Sequence, residues 1–372
     1  MQRDTFRLRG DSPGTARSLR LYRYGTPGQG PKIYLQAGLH ADEMPGVLVL
    51  HHLMTLLDTA EPQVTGEVLV VPAANPVGLG QWGYQRPLGR QEAGTLNNFN
   101  RGFADLAALT GDGLEHRLTG DCATNRDLIR AAFRAASARL CREARTDMGQ
   151  LQALLLHHSC DADYVLDLHC DHRAVLHLYT SPARPADTDL LCRATGAQLA
   201  LIQDISGGHA FDEAHSAPWL LLQRRFAGRY PIPDACFATT LEYRGQFDVA
   251  DATALQDAQN LMTFLAAIGA LQGWDEAPRH PAAPCYPLGG AAEVFAPHAG
   301  VVTWQAAPGD RVQAGETLGH VTDAASRRRS PLPAPCDGMM FRAELWPSCL
   351  RGASLAHVAG ENVLRDGDLL SD

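Results

Sequence analysis

Apolar and polar positions along the chain follow two different periods. Short runs rich in Val, Ile, Leu and Tyr at Lys32–Ala37, Glu67–Ala73, Tyr164–Leu168, Ala174–Tyr179 and Cys236–Leu241 are each bounded by turn or motif residues, and they predict buried strands. Between them, helical spacing and good helix formers predict helices over Pro45–Leu57, Asn125–Ser159, Ala186–Leu199, Asp212–Phe226 and Val249–Ala270. Strands alternating with helices imply an α/β layer fold with a parallel or mixed sheet.

Past Gly273 the pattern changes. Pro and Gly crowd Trp274–Gly290, and the remainder reads as short strands and turns without a helix. A boundary near residue 280 would divide the chain into a domain of residues 1–280 and a small all-β domain of residues 281–372. The second part contains a repeat: Gly300-VVTWQAAPGDRVQAGETLGHV is echoed by Gly338-MMFRAELWPSCLRGASLAHV, with Gly, Leu, His and Val at matching places. This duplicated unit resembles the biotinyl/lipoyl carrier fold, whose modified lysine sits on the turn between the halves. Here that neighbourhood, Ser326–Ser330, holds Arg327, Arg328 and Arg329, and the only lysine of the chain is Lys32. Attachment of biotin or lipoate is thereby excluded, and a structural or substrate-gating role is expected.

Composition narrows the class. The chain is 372 residues long and 45% hydrophobic, enough for a large core, and its formal charge of −9 comes from dispersed acidic residues, which argues against nucleic acid. No run near the N-terminus suits a signal peptide or membrane span, so a cytoplasmic protein is expected. The 9 cysteines are scattered without a C-x-x-C pair, which indicates neither a disulfide framework nor a zinc ribbon.

The candidate chemistry lies at the strand ends. Tyr34-LQAGLHADEMPG places His40 and Glu43 three residues apart, between a strand and a helix that Pro45 helps to start. His169 closes the run Tyr164-VLDLHC, at the carboxyl end of a strand, where α/β sheets commonly build sites. Two imidazoles and one carboxylate leave one position of tetrahedral zinc open, the catalytic arrangement; Mn, Fe or Co fit the same ligand types. Asp167 falls on the same side of the strand as His169 and is placed to orient its imidazole.

The segments Gly38-LHADEMPG, Asn75-PVG, Asn97-NFNRGF, Asp167-LHCDHRAVLHLY and Thr240-LEYRGQ, in this order, resemble the succinylglutamate desuccinylase/aspartoacylase group, M14-type relatives of the zinc carboxypeptidases. The resemblance implies a zinc-carboxypeptidase-like mixed sheet flanked by helices and one zinc per chain on His40, Glu43 and His169. It implies Glu242 as general base, Arg90 as the group polarising the scissile carbonyl, with Arg86 close enough to compete, and Asn100 with Arg101 as the carboxylate-binding pair. The activity implied is hydrolysis of the amide of a small N-acylated amino acid, with homo-oligomer formation left open. Two rivals stand beside it: a metallocarboxypeptidase acting on peptides, and a non-catalytic metal-containing binding protein.

Other signals carry less. Gly78-LGQWG mimics a dinucleotide turn, but no helix can open on Trp82-GYQRPLG. Cys170 points away from His169 by strand alternation. His209 in a Gly-rich loop and His177 on a strand are further candidates for lining the pocket.

Overall fold

The computed structural model describes residues 1–10, 13–59 and 63–369. Nine strands form one sheet: β1 (Gln2–Arg7), β2 (Ser18–Gly25), β3 (Lys32–Ala37), β4 (Glu67–Val71), β5 (Tyr164–Asp171), β6 (His177–Thr180), β7 (Leu199–Ile202), β8 (Phe237–Gly245) and β9 (Cys285–Pro287). Their order is β1-β2-β4-β3-β5-β8-β6-β7-β9. The central β4-β3-β5-β8 ladder is parallel, while β6 runs antiparallel to β8, so the sheet is mixed. The central strands are buried on both faces, which explains why they read as continuous apolar runs.

Helices cover both faces. Helix α1 (Pro45–Thr59), α5 (Pro185–Thr195) and α7 (Asp251–Ala267) pack on one side against Leu35, Leu166, Leu168 and Leu241. On the other, α2 (Leu106–Leu114), α3 (Cys122–Glu143), α4 (Asp147–Ser159) and α6 (Glu213–Phe226) enclose Phe133, Trp219 and Phe211 over Tyr34 and Val165. The alternation of strand side chains therefore puts Leu166 and Leu168 in one core and Val165, Asp167 and His169 on the opposite face.

Several boundaries differ from the periodicity. The single helix expected over Asn125–Ser159 is two, because Thr146 caps a new helix by accepting from Gly149 N. The helix expected to reach Leu199 stops at Thr195, where Gly196 takes a left-handed C-cap, and Leu199–Ile202 is a strand. Helix α2 and the N-terminal strands β1 and β2 lie outside the predicted elements.

The C-terminal segment forms two further sheets from β10 (Ala291–Phe295), β11 (Gly300–Trp304), β12 (Arg311–Val312), β13 (Thr317–Asp323), β14 (Arg328–Pro333), β15 (Gly338–Ala343), β16 (Ser348–Cys349) and β17 (Ser354–Ala359). The sequence repeat is a structural one: β11-β12-β13 corresponds to β15-β16-β17, and each half lends its short middle strand to the other, β12 pairing with β15 and β16 with β11. The recurring glycine has a steric cause. A Cβ on Gly300 would stand 2.5 Å from Thr322 O, and one on Gly338 would stand 2.1 Å from Ala359 O. The two parts of the chain interlock, since β9, beyond residue 280, edges the large sheet through β7, and Arg173–Ala174 pairs with β15.

Candidate metal centre

Strand β3 ends at Ala37, and the turn that follows carries His40 and Glu43 to the start of α1. Strand β5, hydrogen-bonded to β3, carries His169. His40, Glu43 and His169 are 4%, 2% and 3% exposed, and their ligand atoms all lie within 4.8 Å of one another. Glu43 stands between the imidazoles, Oε1 3.0 Å from His40 Nδ1 and Oε2 2.8 Å from His169 Nδ1. Cys170 N donates to Oε2 at 3.1 Å.

The outer nitrogens of both rings are occupied. His40 Nε2 lies 2.8 Å from Asn98 Oδ1 and His169 Nε2 lies 2.9 Å from Asp167 Oδ2, so each donates its Nε2–H outward. Asp167 is in turn fixed by Gln36 Nε2 at 3.1 Å. Both Nδ1 atoms consequently face inward with the Glu43 carboxylate. Burial and the nearby Arg90 lower the His40 pKa, so this ring is neutral. His169 is opposed by burial but sits between Asp167 and Glu43, which raise its pKa well above the usual value. Burial also opposes the Glu43 charge, yet the two imidazoles hold its carboxyl well below the ordinary range.

The centre thus demands positive charge. His169 meets the demand with a proton, and Arg90 with its guanidinium, whose Nη1 stands 3.0 Å from Glu43 Oε1 and 3.2 Å from His40 Nδ1. Two inward nitrogens and a carboxylate, with the outer nitrogens held by oxygen acceptors, fit a divalent metal such as zinc.

A cavity of about 320 Å³ opens over these residues, and Arg90, Asn100, Arg101 and Glu242 line it with them. Arg90 is carried on a loop stitched to the site by Ala41 N to Gly89 O at 2.9 Å and Phe99 N to Arg90 O at 3.2 Å. Arg86 is elsewhere, stacked over the Trp346 ring at 5.4 Å. Asn100 Oδ1 accepts from Phe211 N at 2.8 Å, which turns its Nδ2 toward His169. Arg101 Nη1 donates to Asn100 O at 2.8 Å.

Glu242 pairs in register with His169 across β8 and β5. Its Oε2 is buried without a hydrogen-bond partner, and burial, then the Glu43 charge, push its pKa up to about 8. An ion pair with Arg244 is the ordinary alternative for such a residue. Arg244 is instead bonded to Asp257 on α7, beyond a break in strand register, leaving Glu242 to the cavity.

All seven site residues named from the sequence therefore meet around one cavity. His177 does not line it: the ring is buried, bonded through Nδ1 to Val175 O at 2.8 Å, and packed on Phe341. His209 is likewise outside the lining. Cys170 is buried and its thiol is pushed up by desolvation, which makes it no nucleophile. Sequence reasoning missed Asn98, Asp171, Asp212 and Arg342. Asn98 stands inside the N-N-F-N-R segment and could have been found as a partner for a ligand; Arg342, arriving from the C-terminal sheet, carries no local signal. Asp212, at the entrance to α6, is held at about 6 by burial and then by Asp167 and Glu213.

A family profile described as the succinylglutamate desuccinylase/aspartoacylase catalytic domain matches residues 29–267. Among solved structures, a protein from Shewanella amazonensis assigned to that family is 26% identical, with a TM-score of 0.85 over 96% of this chain and 98% of that one. A counterpart from Shewanella frigidimarina is 25% identical, with a TM-score of 0.84 over 96% of each chain. The product-bound ectoine utilization protein EutE (DoeB) from Ruegeria pomeroyi shares the fold at 16% identity, with a TM-score of 0.64 over 95% of this chain and 94% of that one. No curated protein sequence matches the chain. No described helix is long and apolar enough to cross a membrane.

Proposed function

The chain belongs to the succinylglutamate desuccinylase/aspartoacylase family, and on that premise we propose that it is a zinc-dependent amidohydrolase acting on a small N-acylated amino acid. The observation that carries this reading is the placement of Glu242. The Glu242 carboxyl group, without a protein partner, stands in register with His169 and faces a cavity also lined by Arg90, Asn100 and Arg101. A structural metal site has no use for such a group.

His40, Glu43 and His169 would hold the zinc, which when bound supplies Lewis acidity toward water and the scissile carbonyl. Glu242 takes a proton from the attacking water and returns it to the leaving nitrogen. The Arg90 guanidinium, already drawn to the centre, stabilises the oxygen on which charge develops. Asn100 and Arg101 hold a substrate carboxylate, the arginine by its two-pronged donor geometry. The products are a carboxylic acid and a free amino acid. A cavity of about 320 Å³ lies at the small end of ligand sites, which favours acylated amino acids over peptides.

Residues 281–372 are read as a carrier-like β fold turned to shaping the site, since Leu288 and Arg342 both line the cavity. The experiment is a zinc-loaded activity screen over N-acetyl, N-succinyl and N-formyl amino acids. Glu242→Gln should lower kcat on the best substrate by about two to four orders of magnitude, and His169→Ala should abolish turnover. Wild-type rates in both variants would refute the assignment.

A further inference from the structure

The strand that carries Glu242 ends in a backbone irregularity that decides where an arginine goes. Along β8, Leu241 and Tyr243 belong to the core beneath α1, α5 and α7, while Glu242, in register with His169, faces the cavity. Side chains alternate in a regular strand, so Arg244 would follow Glu242 onto the cavity face, roughly 7 Å further along. A long cationic side chain at that spacing would reach the Glu242 carboxyl group. The backbone prevents it. Arg244 sits at φ 60°, in the left-handed region, and the pairing of β8 with β5 breaks register between Glu242 and Gly245. Two consecutive side chains, Tyr243 and Arg244, are thereby sent to the same face, as in a β-bulge. The guanidinium lies 5.8 Å from the centre of the Tyr243 ring and meets Asp257 on α7, Nη1 donating to Oδ1 at 3.4 Å and Nη2 to Oδ2.

This arrangement is unfavourable in itself. A left-handed residue other than glycine is strained. The Asp257 side chain is only 6% exposed, so its charge is largely desolvated. Among the described residues, neither Arg244 Nε nor the Tyr243 hydroxyl, both buried, has a hydrogen-bond partner. Anchoring α7 to the sheet does not require any of this, because Ala254, Ala258 and Leu261 already pack in the apolar core with Leu241 and Tyr243. What the charged pair adds is a destination for the guanidinium away from Glu242.

We propose that the Arg244–Asp257 pair is a latch that holds the bulge and so keeps the Glu242 carboxyl group unpaired and facing the cavity. Both are positioning residues, acting through Glu242 and touching no substrate. The importance of this for turnover rests on the hydrolase reading above; the latch itself is a statement about which partner Arg244 takes.

The test compares zinc-loaded wild type, Asp257→Asn and the double variant Arg244→Gly/Asp257→Asn on the best substrate of the screen. Asp257→Asn leaves the guanidinium without its anion, so the bulge relaxes and Arg244 turns to Glu242. The expected result is a fall in kcat of about tenfold to a hundredfold with KM little changed, within what general-base catalysis contributes. In the double variant no arginine competes and glycine accepts the left-handed position, so most of the lost kcat should return. A purely structural pair predicts a double variant no faster than Asp257→Asn, and that result would overturn the proposal. Asp257→Ser takes the place of the asparagine variant if the latter does not fold. A second arm needs no turnover: melting temperatures of metal-free protein carrying Glu242→Gln, Arg244→Gly or both. The two shifts should add while Asp257 is present and depart from additivity by about 2 °C or more in the Asp257→Asn background, where Arg244 and Glu242 have paired. That coupling without hydrolysis by any variant upholds the latch and removes the hydrolase reading alone. Additivity in both backgrounds overturns the latch.

Discussion

Helix α1 must start in contact with the strand that bears His169, and Gly46→Ala tests that contact. A Cβ at residue 46 would stand 2.8 Å from Leu168 Cβ and 3.0 Å from Leu168 O, against the roughly 3.5–4.0 Å of an ordinary carbon contact. The helix start and β5 must then part by roughly 1 Å. Glu43 lies three residues before Gly46 and His169 one residue after Leu168, so the displacement opens the 2.8 Å contact between Glu43 and His169. Overpacking of this kind costs about 1–3 kcal/mol, while alanine gains about 1 kcal/mol over glycine in helix propensity. The net expectation is a loss of roughly 0–2 kcal/mol in metal-free stability, with zinc affinity lowered about tenfold or more because ligand sets tolerate only about 0.5 Å of misplacement. Gly113→Ala in α2 is the control, since nothing lies within 4 Å of its Cβ position. It should stabilise by up to about 1 kcal/mol and leave zinc affinity alone. Chelator competition measures the affinity, and thermal unfolding in EDTA measures the stability. A Gly46→Ala protein that binds zinc like wild type and melts higher would refute the reasoning.

Other outcomes follow from the partners of the ligands. Removing an outer acceptor, by Asn98→Ala or Asp167→Ala, should weaken zinc binding by about 10–100-fold, measured by the same competition. Because the His169 pKa is raised well above its usual value by Asp167 and Glu43 against burial, this ring is charged in the metal-free protein at neutral pH. Zinc uptake should therefore release about one proton, seen by calorimetry in buffers of different ionisation enthalpy, and affinity should rise with pH. Glu242, raised to about 8 by burial and Glu43, binds its proton more tightly in the folded state than in the unfolded one. Its contribution to metal-free stability is thus fully present near pH 4 and is lost as pH climbs through about 8. Urea denaturation of the Glu242→Gln apoprotein should show a shallower decline with pH than wild type; equal slopes would contradict the raised pKa.

What could be read from the sequence follows from how local each feature is. Strands β3, β5 and β8 were legible because burial on both faces leaves short runs dominated by apolar residues, and His40, Glu43 and His169 were legible because they sit where such runs end. Strand β1 at the sheet edge and β2 beside it carry many exposed or half-buried positions and give weaker patterns. Two misplaced helix ends had local signals, the cap at Thr146 and the left-handed Gly196, that periodicity overrode. Arg342 was not legible at all. It reaches the cavity only because Arg173–Ala174 joins the C-terminal sheet, a pairing between segments more than a hundred and fifty residues apart that no local pattern encodes. The partner of Arg244 was hidden for a different reason, as Asp257 lies on helix α7, a different element from the strand that carries the arginine.

His40, Glu43 and His169 are proposed to bind one metal ion beneath the cavity. Elemental analysis after equilibrium dialysis against zinc tests it most directly. One tightly held zinc per chain is expected in wild type and none in Glu43→Ala or His169→Ala, with both variants still folded. Retention of the zinc by either folded variant, or a wild-type protein that hydrolyses its substrate while holding no metal, would contradict it.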